Sequence, residues 1–114
     1  ASHAQTQEQG ARDLYREHLA LSMQYPQFSD PGTCPAFSET EQIAYEAYVT
    51  HLIYTAEETS AADPSWGPVM EGALTLHAPF ICASIGSETA LTDPVARMLA
   101  KIAVSACSEI PECN

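Results

Sequence analysis

Apolar residues recur along this chain at spacings of three and four. No alternating run long enough to form a strand interrupts them. The first such stripe is Ala11, Leu14, His18, Leu21 and Tyr25, which stack along one face of a helix expected from about Gln7 to Tyr25. Pro26 lacks an amide hydrogen and stops it. Gln27 to Phe37 holds two prolines, a glycine and the first cysteine, and reads as a loop. Ser38-Glu39-Thr40-Glu41 has the form of a capping box and predicts a second helix running to about Thr59. Its apolar residues, from Ile43 to Tyr54, cover more than one stripe, so this helix is either central in its bundle or shared with a partner.

Asp63-Pro64 opens a third helix, with Asp63 as cap and Pro64 at the first helical position. Val69, Met70, Ala73, Leu74 and His77 form its inward face. Pro79 should break it near Leu76, leaving Phe80 to Ser84 as a short continuation. A polar link from Ile85 to Leu91 follows. Asp93-Pro94 then repeats the opening device for a fourth helix, whose stripe is Val95, Met98, Leu99, Ile102 and Ala106 and whose end falls near Ser108. Four helices joined by short links predict an all-α antiparallel four-helix bundle formed by residues 9–114, with residues 1–8 a flexible tail. The chain begins at Ala1, as a processed mature protein or one with a leftover Ala-Ser stub would.

Composition narrows the partners. At 114 residues the chain suits one domain. No stretch approaches the roughly 18 consecutive apolar residues of a membrane span. Fifteen acidic residues face four basic ones, Arg12, Arg16, Arg97 and Lys101, for a net charge of −11. That balance disfavours nucleic acid and anionic lipid and favours a basic protein partner.

Cys34, Cys82, Cys107 and Cys113 are expected to form two disulfides that staple the bundle. In an up-down bundle the loop after the first helix and the end of the third lie at one end. That placement favours Cys34 with Cys82, and Cys107 with Cys113 across the turn at Pro111. Zinc is the rival reading, but no tight pair two to four residues apart is present; free buried thiols are the third. Two bridges imply a periplasmic or secreted location.

No phosphate-binding glycine loop, nucleophile elbow, paired-histidine zinc motif or Cys-x-x-Cys occurs, and catalysis is not expected. No cofactor is expected either. His18, His51 and His77 fall on three different helices and are the candidates for a metal or small-ligand site in the bundle core. Such sites usually add inward carboxylates in a Glu-x-x-His pattern, and that pattern is missing. Tyr45, Tyr48, Val49 and Ile53 on the second helix are the candidate interaction face, either for a partner protein or for a weak homodimer. An interhelical pocket for an apolar ligand is a further reading.

The segment from Tyr45 to Cys82 resembles a helical segment of small uncharacterised bacterial proteins. The shared elements are an aromatic-rich helix ending in Glu57-Glu58, Trp66 at the opening of the next helix, and a tail carrying His77, Phe80 and Cys82. The resemblance implies a bacterial origin and an α-helical fold, and transfers no functional residue. The functional expectation is therefore a non-catalytic, exported binding or protein-interaction module. The alternative is a metal- or ligand-binding bundle using the three histidines.

Overall fold

Six helices account for most of the described chain in the computed structural model, which describes residues 3–84, 93–110 and 113. The expected link from Ile85 to Leu91 and the turn at Pro111 lie outside the described residues. Helix α1 spans His3–Gln24 and starts earlier than its apolar stripe, so residues 3–8 of the expected tail are helical. Charged and amide side chains one turn apart hold this polar stretch: Arg12 reaches Glu8 at 3.2 Å and Gln9 reaches Asp13 at 2.9 Å.

Pro26 both ends α1 and opens a helical turn, α2 (Pro26–Ser29), where a loop was expected. The proline sits at a first helical position, where its missing N–H is no loss. The turn drives Phe28 into the core. Gly32 then takes φ +73°, a left-handed conformation that costs glycine nothing, and the chain turns toward α3.

The capping box forms as its residues predict. The Ser38 hydroxyl accepts from the Glu41 amide at 3.1 Å, and the Ser38 amide donates to the Glu41 carboxylate at 3.0 Å. It starts α3 (Glu39–Ala62), the longest helix among the described residues. Asp63 accepts from the Ser65 amide at 2.9 Å and opens a 3₁₀ turn over Pro64–Trp66, which passes into α4 (Gly67–Thr75). The break expected from Pro79 is present at Leu76 and His77, and α5 (Ala78–Ser84) continues beyond it. Helix α6 (Asp93–Ala106) ends in a 3₁₀ turn at Cys107–Glu109.

Helix α3 is the central strut. It packs against α1, α4 and α6, and Tyr45, Tyr48, Val49, Leu52, Ile53 and Ala56 are all buried. Neighbours on several sides explain why its apolar residues form no single stripe. Two threonines share this interior. Their hydroxyls donate to the carbonyls one turn back, Thr55 to His51 and Thr59 to Thr55, each at 2.8 Å, so neither threonine hydroxyl is stranded.

Direction matters for the cysteines. α1 and α3 are antiparallel, as the Ser22–Tyr48 and Glu17–His51 contacts require. α4 returns along α3. α6, however, runs alongside α4 and α5 in the same direction: Gly67 adjoins Met98, Glu71 pairs with Lys101 at 2.9 Å, and Cys82 is bonded to Cys107. The fourth helix is thus parallel to the third, where the up-down expectation reversed it.

Two disulfides are present, and their pairing differs from the expected one. Cys34 is bonded to Cys113 and Cys82 to Cys107, in place of Cys34–Cys82 and Cys107–Cys113. A parallel α6 carries Cys107 to the end of the bundle where α5 already lies. The tail beyond it then reaches the loop that holds Cys34. No described cysteine is free, which removes the zinc and free-thiol readings of these four residues. No helix among the described residues is long and apolar enough to cross a membrane.

Candidate functional site

The C-terminal half of α1, the turn α2 and the first three turns of α3 enclose a groove of about 500 Å³. Its wall on α3 comes from Thr40, Ala44, Ala47 and His51, spaced four, three and four residues apart and so aligned on one face of the helix. Leu21 and Tyr25 form the opposite wall, and Phe28 and Tyr48 form the floor. The two alanines keep the α3 wall low, so the groove stays open to solvent. Phe28 is the residue that sequence reasoning missed, because it lies between prolines in what reads as a loop. The signal was there in Pro26 at a first helical position.

The groove is mostly apolar, with Gln27 and Thr40 the uncharged polar residues among its lining and ionisable groups at its two ends. Glu41 stands at one end, its carboxylate held by the cap. At the other, His51 Nε2 lies 3.0 Å from the exposed Glu17 carboxylate on α1. None of the four basic residues lines it. Arg12 and Arg16 are taken up by Glu8 and Asp13 on α1, while Arg97 and Lys101 lie on α6. Its only side chain able to carry positive charge is therefore His51, already beside a carboxylate.

Behind the floor lies a cluster of histidines and tyrosines contributed by α1, α3 and the α4–α5 break. Tyr48 is its hub. Its hydroxyl is 2.6 Å from the Ser22 hydroxyl, and its ring lies 5.4 Å from His18 and 5.6 Å from His77. His18 stacks on His51 with ring centroids 6.4 Å apart. Nδ1 of His77 is 2.6 Å from the Tyr45 hydroxyl. Nδ1 of His18 is buried without a hydrogen-bond partner. Burial holds both His18 and His77 below the usual histidine range, His77 to about 4; a neighbouring histidine adds to each shift, while Asp30 opposes that of His77. Burial, and to a lesser degree Tyr48, raises the Tyr45 hydroxyl well above its ordinary value. The Tyr45 hydroxyl and His77 Nδ1 share a hydrogen bond whose direction follows the imidazole tautomer, and burial favours the neutral form of both histidines.

The three histidines expected as metal ligands are thus brought into one neighbourhood, but not into a ligand set. His77 Nδ1 is taken by Tyr45 and His51 Nε2 by Glu17. Among the described residues no three His, Cys, Asp or Glu side chains group around a common point. Ring–ring packing through Tyr48 has taken the place that inward carboxylates would need.

The expected interaction face is also corrected. Tyr45, Tyr48, Val49 and Ile53 are all buried within the protein's own core, with at most 8% of their surface exposed. They therefore belong to the protein's own core and offer no exposed face on α3. The exposed apolar residues of the same helix include Ile43, Ala44, Ala47 and Tyr54. The chain matches no protein family, no curated protein and no solved structure.

Proposed function

We propose that the protein is a non-catalytic binding module of an oxidising compartment, and that its binding element is the groove between α1, α2 and α3. The observation that carries this reading is an open, apolar channel of about 500 Å³ set against a closed core. Concave apolar sites with a few polar groups at their ends are where proteins take up apolar ligands and side chains. The polar ends, Glu41 and the His51–Glu17 pair, supply orientation. Two disulfides support an extracytoplasmic setting, where such bridges persist.

A neutral apolar fluorophore, N-phenyl-1-naphthylamine, tests the groove directly. It should brighten on titration with the protein and saturate at about one equivalent, as a single apolar site requires. Ala47→Trp places an indole in the groove at an exposed helix position and should abolish the signal while leaving the helical circular dichroism intact. No brightening, or equal brightening with Ala47→Trp, rejects the groove as the binding element.

A further inference from the structure

Resting on the groove reading, we infer that the occupant is a cationic amphipathic helix of a partner protein, laid along α3 with its apolar face on Ala44 and Ala47.

Length supports a helix. The wall from Thr40 to His51 spans eleven residue steps of α3, about 16 Å or three turns at 1.5 Å per residue. Two alanines in that wall let another helix approach closely, while Leu21, Tyr25 and Phe28 offer the hollow into which larger side chains insert.

Charge supports a cation. Glu41 lines one end, and at the other the Glu17 carboxylate of α1 sits just outside the lining, 3.0 Å from His51 Nε2, so basic residues toward the two ends of the incoming helix each meet an acid. No Lys or Arg of this chain lines the groove to repel them. The net charge of −11 adds long-range attraction.

A second copy of this chain is a poor occupant. It too carries −11, and the one helix with two basic residues outside α1 has already spent its apolar stripe: Val95, Met98, Leu99 and Ile102 of α6 are buried. Of its large apolar residues, only Val104 is well exposed.

Two synthetic helices test the inference: two heptads of Leu-Lys-Lys-Leu-Leu-Lys-Leu, and the same peptide with glutamate at every lysine. The apolar faces are identical and only the charge differs. Calorimetric titration should show the lysine peptide binding the parent protein. Ala47→Trp, which leaves charge unchanged, should weaken it by about tenfold or more by filling the site where the apolar anchor inserts. The double variant Glu17→Gln and Glu41→Gln should weaken it several-fold at low salt, and the parent's affinity should fall as ionic strength screens the acids. The glutamate peptide should not bind.

Equal binding of both peptides overturns the inference, as does lysine-peptide binding untouched by Ala47→Trp. If the naphthylamine binds the parent and not Ala47→Trp while the lysine peptide fails to bind, the groove stands and the helical partner falls. If Ala47→Trp alters neither, both fall. A concentration-dependent dimer in sedimentation, lost in Ala47→Trp, replaces the basic partner with a second copy and overturns the inference as well.

Discussion

The Tyr45 hydroxyl lies 2.6 Å from Nδ1 of His77, tying the first half of α3 to the break between α4 and α5 within the core. Both residues are nearly inaccessible to solvent. Removing the hydroxyl leaves a buried imidazole nitrogen without its hydrogen-bond partner, which costs about 1–3 kcal/mol. Tyr45→Phe is therefore expected to lower the denaturant midpoint with an unchanged slope, since the ring still fills its place among Phe28, Phe37 and Phe80. An unchanged midpoint shows that the bond contributes nothing net.

The same burial makes the fold sensitive to acid. The His77 imidazole, which titrates near 6.5 when free, is pushed down to about 4, and His18 is lowered as well. A depressed histidine binds fewer protons in the folded state than in the unfolded chain, so acid favours unfolding. The stability the neutral His77 ring contributes is complete above about pH 6.5 and is lost as pH falls from there toward 4, and His18 acts in the same direction. His77 alone removes at most about 1.4 kcal/mol per pH unit within that window. Urea unfolding at pH 7.5, 6 and 5 should show a steady decline, and a flat profile excludes neutral buried histidines.

Disulfide connectivity is directly checkable. Intact mass without reductant should lie four hydrogens below the fully reduced mass. Peptide mapping should link Cys34 with Cys113 and Cys82 with Cys107. Their sequence separations of 79 and 25 residues correspond to about 4.5 and 3.5 kcal/mol in the chain-entropy model. Replacing Cys34 and Cys113 by serine should therefore destabilise the fold at least as much as replacing the other pair. Peptides linking Cys34 to Cys82 overturn the parallel placement of α6.

The central position of α3 makes opposite demands on its two sides. Leu52 is fully buried, and Leu52→Ala should cost about 2–5 kcal/mol through lost contact and the cavity left behind. Ile43 is two-thirds exposed, at 66%, and Ile43→Ala should stay within about 0.5 kcal/mol. Parallel chemical denaturation of the two variants is sufficient. Similar losses for both would mean that Ile43 is covered, by a partner or a second copy.

With Tyr45, Tyr48, Val49 and Ile53 committed to the core, and a net charge of −11 repelling like copies, the protein should sediment as a monomer. That expectation holds at low and high salt alike. A dimer that strengthens with ionic strength would place its interface on residues other than these four.

The sequence by itself determined what short-range physics controls. The helical class, the capping box at Ser38 and Glu41, the break before Pro79 and the opening of the third helix at Asp63 each depend on groups within about four residues of one another. Local backbone chemistry is nearly independent of the rest of the fold. The charge balance was legible in the same way, and so was the oxidised state of the cysteines.

Only the tertiary structure decided the rest. Apolar residues around most of α3 made it central or shared, and nothing local chose between those; three packed neighbours did. The direction of α6 depends on contacts such as Glu71 with Lys101, thirty residues apart, and cysteine pairing follows from that direction. Phe28 enters the core because a four-residue turn aims it there, and it thereby floors the groove that the apolar pattern alone did not reveal. Each of these outcomes depends on the packing of segments distant in sequence, a balance of burial against chain entropy that periodicity does not encode.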